Sequence, residues 1–160
     1  MKLKLFGALA TAALLAACST PDAANTGAAT GSGATAATAG AAPGSEEDLV
    51  ANAGDRVLFA TDRSTLSADA QAVIDRQAGF LAKYPQDNVQ LAGNCDERGT
   101  EEYNIALGQR RANSARDYLV ARGVDGSRVT TISYGKDRPT ATGSDEQAWI
   151  QNRNAITSVR

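Results

Sequence analysis

The 160-residue sequence predicts an α+β fold, a two-layer sandwich with helices packed on one sheet, preceded by a disordered tether. Three observations carry this expectation. Short β-rich runs alternate with amphipathic runs of helical period over the C-terminal part of the chain, the order that lays helices on a sheet. Before them lies a stretch of Ala, Gly, Thr and Ser almost without large apolar residues. The remainder, from about Asp48 to Arg160, is a normal size for a single core.

The first residues read as an export signal. Lys2 and Lys4 precede an uncharged apolar run from Leu5 to Ala17. That run is well short of the roughly 20 apolar residues a membrane-spanning helix needs. Leu15-Ala16-Ala17-Cys18 follows directly, the pattern of a lipobox. Residues 1–17 are therefore expected to be a signal peptide and Cys18 a lipidated mature N-terminus. One acyl chain holds a protein only marginally, whereas two or more anchor it firmly. Bacterial lipoproteins carry a diacylglycerol and an amide-linked chain, and those kept in the inner membrane typically have Asp after the cysteine. Ser19 and Thr20 stand there instead. By that resemblance the outer membrane is the expected location.

From Ser19 to about Glu47 the chain cannot bury enough apolar surface to offset its ordering entropy. Residues 18–47 are thus read as the lipidated end and a flexible tether. About 29 residues could stretch to roughly 100 Å, with a root-mean-square span near 30 Å.

The elements of the domain, expected over residues 48–160, follow from local signals. Val57 to Ala60 reads as a short strand. Ser67 caps a helix to Tyr84, with Val73, Phe80, Leu81 and Tyr84 on one stripe and Pro85 just beyond it. Val89 to Gly93 alternates as a strand. Glu101 to Arg122 forms a second helix, closed by Gly123 where a left-handed residue is wanted. Val129 to Tyr134 is again β-rich, Asp145 to Asn152 is a short helix carrying Trp149, and Asn154 to Val159 closes as a strand.

Composition removes several function classes. With Cys18 lipidated, Cys95 has no partner for an intramolecular disulfide. A free cysteine at a strand end reads as a small buried hydrophobe rather than a redox group. Losing the two leader lysines takes the formal charge from −2 to −4, and no basic run is left to neutralise phosphates, so nucleic acid is not expected as a partner. The chain has no histidine, which excludes Ser-His-Asp, Cys-His and His-metal chemistry. No metal and no cofactor is expected.

The loop Gly93-Asn94-Cys95-Asp96-Glu97-Arg98-Gly99-Thr100 leads straight into the second helix. At about 100° per residue, Leu107, Arg111, Ser114 and Tyr118 share one face of that helix. Arg111 then points along the apolar stripe, where a guanidinium is costly unless paired. Arg110 leaves the stripe and reads as solvated, as do Glu97 and Arg98 in the loop. Trp149 reads as core or domain cover. Asp96 is the obvious partner for Arg111. Two readings stay open on these residues alone: an ion pair that pins the loop, or a pocket for a zwitterion. In the second, Asp96 takes an ammonium and Arg111 takes a carboxylate through two parallel hydrogen bonds.

The run Asn-Cys-Asp-Glu-Arg-Gly-Thr-Glu-Glu-Tyr-Asn, followed by Leu-Gly-Gln-Arg-Arg-Ala, resembles the peptidoglycan-associated lipoproteins, within the family of outer-membrane-protein-A-like C-terminal domains. The likeness begins at Leu58-Phe59, includes Asp62 and Ser64-Thr65-Leu66-Ser67, and continues through Ile132 to Pro139 to the closing Asn152-Arg153. It covers essentially the whole domain. It implies a mixed four-stranded sheet with helices on one side, and non-covalent, non-enzymatic binding of the peptidoglycan stem peptide. By motif position, Asp96 and Arg111 would grip the free amino-acid head of diaminopimelate. Thr61 and Asp62 would close the pocket, and Thr100, Asn104 and Leu107 would line or brace it. Periplasmic Tol proteins, chiefly the β-propeller TolB, are the implied second partner, with a role in envelope integrity and cell division.

Three positions depart from the family pattern. Asn94 stands where histidine is usual, Phe59-Ala60-Thr61-Asp62 lacks one acid and one ring of the usual opening, and Asn154 replaces a common second arginine. Three other functions compete. A glycosidase would use the adjacent Asp96 and Glu97 as paired carboxylates. A purely protein-docking lipoprotein, or a wall binder outside the Tol system, would need no such pair or no Tol contact.

Overall fold

A computed structural model describes residues 40–160. Residues 1–17, expected to be a signal peptide, Cys18, expected to be lipidated, and most of the stretch expected to be a tether lie outside the described residues. Helix α1 (Glu46–Asn52) opens the domain, two residues inside the stretch assigned to the tether. Ser45 caps it, its Oγ accepting from the Asp48 N–H, and three acids fill its first turn, where the helix dipole favours negative charge. Glu46 also ties the helix to the far end of the chain by accepting from the Val159 N–H at 2.6 Å.

The remaining elements are β1 (Arg56–Leu58), α2 (Ala68–Lys83), β2 (Val89–Asn94), α3 (Glu101–Ala121), a short 3-10 turn (Gly126–Arg128), β3 (Val129–Gly135), α4 (Glu146–Asn152) and β4 (Asn154–Val159). The strands form one mixed sheet in the order β1-β4-β2-β3. β2 and β3 run parallel, with α3 as their crossover, and β4 inserts antiparallel to both β1 and β2. The last strand thereby carries the end of the chain into the middle of the sheet, so the α4–β4 junction lies beside the ends of β1 and β2.

Alternation along the strands sends Val57, Val89, Leu91, Val129 and Ala155 under the helices. There they meet Ile74, Phe80 and Leu81 of α2, Leu49 of α1, and Ala112, Ala115 and Leu119 of α3. Helices cover one face of the sheet and the other stays open. α3 lies unusually close to β2. A Cβ on Gly93 would overlap the backbone of Gly108, and one on Gly108 would lie 2.7 Å from the Gly93 carbonyl oxygen. Both positions therefore need glycine, and their contact sinks α3, with the side chains that follow, onto the end of β2.

No helix among the described residues is long and apolar enough to cross a membrane.

Candidate functional site

At the C-terminal end of β2 the ladder slips. Register shifts between Gly93 and Asn94, a local bulge of the kind that re-aims side chains. Asn94, Cys95 and Asp96 are consequently all buried, although neighbours on a regular strand would alternate. The loop then turns through Gly99, whose φ of 86° lies in the left-handed region. Thr100 starts α3 as its N-cap, with Oγ1 accepting from the Tyr103 N–H at 3.2 Å.

A cavity of about 290 Å³ opens between this loop, the start of α3 and the turn after β1. That volume sits at the low end for ligand pockets, which run from roughly 300 to 1,000 Å³. It suits one amino-acid-sized group rather than a polymer. Asp96 and Arg111 both line it, with Thr61, Asp62, Asn104 and Leu107. Six of the seven residues expected at the site are thus brought together. Thr100 is off the wall and contributes as the helix cap. Asp62 holds φ at 54°, a conformation its short polar side chain tolerates, and accepts from the Tyr103 hydroxyl at 3.4 Å.

The Asp96–Arg111 ion pair, one of the two readings the sequence leaves open, does not form. Arg111 is 1% exposed and pairs with no carboxylate among the described residues. Its guanidinium donates instead to main-chain carbonyls from three places: Nε to Arg63 at 2.9 Å, Nη1 to Asn94 at 2.8 Å and Nη2 to Ala60 at 3.2 Å. Nη1 also donates to Cys95 Sγ at 3.4 Å. Four of its five N–H groups are spent on the protein, which leaves one on Nη2. The carboxylate grip expected through two parallel bonds therefore reduces to one hydrogen bond plus the uncompensated charge. Burial lowers the pKa of Arg111, as it must when a cation is withdrawn from water without a counter-ion. The positive wall of the cavity is built by stitching the turn after β1 to the end of β2.

Asp96 is satisfied elsewhere. Its Oδ2 accepts from Arg98 Nη2 at 2.6 Å and from Arg153 Nη1 at 3.3 Å, and its Oδ1 from Arg98 Nε at 3.1 Å. Burial pushes its carboxyl up, but the side-chain and backbone hydrogen bonds from Arg98, with that from Arg153, more than offset this and hold it below the usual carboxylate range. Arg153 is itself buried, with Nη2 on Glu146 at 3.0 Å and Nε on the Phe59 carbonyl at 3.2 Å. Asn104 braces the loop by donating from Nδ2 to the Arg98 carbonyl at 2.7 Å. Cys95 matches its expectation as a buried thiol; burial is the first cause of its raised pKa.

Arg98, Arg153, Tyr103 and Gly99 complete the cavity wall and were not expected there. Arg153 carried a usable signal, an arginine flanked by asparagines just ahead of a closing strand. Arg98 and Tyr103 carried none that distinguishes them from solvated neighbours. Arg98 is held against Asp96 and lies over the Trp149 ring, 4.2 Å from its centroid, while Trp149 Nε1 donates to Glu97 at 3.1 Å. Trp149 covers the loop rather than the core.

Residues 58–153 match the model of the OmpA family. The chain belongs to that family. Within it, the chain is 52% identical over 147 residues to the peptidoglycan-associated lipoprotein of Rhizobium meliloti (strain 1021), spanning 92% of this chain and 81% of that relative. A crystal structure of the peptidoglycan-associated lipoprotein from Burkholderia pseudomallei superposes with a TM-score of 0.64 at 40% identity, over 66% of this chain and 90% of that one. The C-terminal domain of Helicobacter pylori MotB shares the fold at 20% identity, with a TM-score of 0.62, over 66% of this chain and 84% of that one. The family assignment places the chain with the peptidoglycan-associated lipoproteins, which are not enzymes. The carboxylate-pair glycosidase is set aside on that ground, and by geometry as well: Asp96 is buried in an arginine clamp while Glu97 points outward to Trp149.

Proposed function

We propose that this domain grips the peptide stem of peptidoglycan non-covalently, taking the free amino-acid head of diaminopimelate into the cavity. The observation that carries this reading is the buried Arg111 guanidinium with no carboxylate partner, facing a cavity whose other wall holds the Asp96 carboxylate. A cation withdrawn from water costs several kcal/mol, and a carboxylate delivered into the cavity offsets part of that cost. The ligand's carboxylate goes to the remaining Nη2 N–H of Arg111 and its ammonium to Asp96. Leu107 and the Asn104 brace shape the floor between them. The names of the relatives support peptidoglycan as the target.

The wider role extends from the same reading. A lipid on Cys18 holds the N-terminus in the outer membrane, the residues between it and helix α1 bridge to the wall, and the domain closes the link. The Tol system, chiefly TolB, is the protein partner we assign to it, in envelope integrity and cell division. Sedimentation with isolated cell-wall sacculi tests the anchor directly. The full chain should pellet with the wall and release neither sugars nor peptides. Failure to pellet contradicts wall binding, and soluble fragments contradict a non-enzymatic grip.

A further inference from the structure

Asp96 cannot receive an ammonium as it stands. A carboxylate offers about four lone-pair positions, and all are filled. Oδ1 accepts from the Arg98 N–H at 3.2 Å and from its Nε at 3.1 Å, while Oδ2 accepts from Arg98 Nη2 at 2.6 Å and Arg153 Nη1 at 3.3 Å. An incoming cation must therefore displace a donor. Arg153 is a poor candidate to leave: its side chain is 7% exposed and it is also tied to Glu146 and to the Phe59 carbonyl. The Arg98 side chain is 40% exposed, and among the described residues its guanidinium hydrogen-bonds to Asp96 alone. Its main chain is fixed by the Asn104 brace, so the guanidinium can swing away while the loop stays in place.

We infer that Arg98 is a built-in stand-in for the ligand's ammonium, and that binding proceeds by exchange, the ligand's ammonium replacing the Arg98 guanidinium at Asp96. The inference rests on the stem-peptide reading above and adds to it a residue that sets affinity and selects for a cationic group. The stack on Trp149 makes the exchange visible, because Trp149 is the only tryptophan in the chain and lies directly beneath the guanidinium. A ligand that removes Arg98 from Asp96 also disturbs that stack.

The test uses the full chain in mild detergent, titrated with a diaminopimelate-containing stem peptide, with calorimetry for affinity and Trp149 emission for the stack. In the parent, emission should shift in step with occupancy. Arg98→Met keeps an unbranched stem on the ring and removes every side-chain donor. It should bind roughly two- to fivefold tighter, the range an exposed ion pair commands, and its emission should no longer follow occupancy. If the parent binds with Trp149 silent, or if Arg98→Met binds no tighter than the parent, the exchange is overturned and the stem-peptide reading stands. If neither protein binds, both fall together.

Discussion

Asn94 and Asn154, two of the three departures from the family pattern, touch each other. Asn94 Nδ2 donates to Asn154 Oδ1 at 2.8 Å, and both side chains are buried. Where a histidine and an arginine are usual, this chain has an uncharged amide pair, at the cost of leaving Asn94 Oδ1 buried without a partner. No histidine stands at the site, since the chain has none. Asp96 has its pKa lowered in the fold, so its contribution is fully present above its unfolded value of about 3.9 and is lost as pH falls through the lower folded value. Stem-peptide affinity should be flat from pH 5 to 8, as calorimetry across that range would show; a step near pH 6.5 would mean another group controls the site. Arg111 shows how far residue-level reading reaches. Helical geometry put it on the buried stripe correctly, because that depends only on positions within one helix. Its partners did not follow, because Ala60, Arg63 and Asn94 offer backbone carbonyls, which carry no trace in residue type. Removing Arg111 orphans those carbonyls, so Arg111→Ala should lower stability by about 3 kcal/mol or more in chemical denaturation, as well as abolish binding.

Among the elements, the cap Ser67 and the closing Gly123 were legible: Ser67 is the N-cap of α2, and Gly123 adopts φ of 95° just after α3. Thr100 and Asp145 are the N-caps of α3 and α4, Asp145 standing one residue before the helix expected to begin with it. Helix α1 was missed, although Ser45 followed by three acids is a start signal, because a seven-residue helix at the end of an Ala/Gly-rich run has too little periodicity to separate from it. The Gly93–Gly108 contact was missed too, since closeness between a strand and a helix belongs to neither one's pattern. Two substitutions separate these contributions. Thr100→Ala should cost about 1 kcal/mol of stability through the lost cap. Gly108→Ala should cost about 1–3 kcal/mol as α3 is forced off β2, and should weaken ligand binding along with it by shifting Arg111. Thermal unfolding of the two variants checks the first pair of numbers. An unaffected Gly108→Ala would mean the helix can ride outward freely.

For the molecule as a whole, the two-layer architecture was readable from the alternation of strands and helices, and the family resemblance implied a mixed four-stranded sheet, whereas the insertion of β4 between β1 and β2 was not legible, because strand order is set by contacts between distant segments. That insertion matters to the site. It delivers Arg153 from the end of the chain to Asp96 and to the Phe59 carbonyl, so the cavity is assembled from three distant segments. Anchoring is expected to be separable from gripping. Cys18→Ala should leave the outer-membrane fraction and still pellet with purified sacculi, which fractionation would reveal. The central claim is that the cavity reads an ammonium at Asp96 and a carboxylate at Arg111, and one calorimetric comparison addresses it. The parent and Asp96→Asn are each titrated with the intact stem peptide and with an analogue lacking only the side-chain ammonium. Asp96→Asn should lose about 2 kcal/mol or more on the intact peptide and almost nothing on the analogue. Equal losses on both ligands, or none on either, would contradict it.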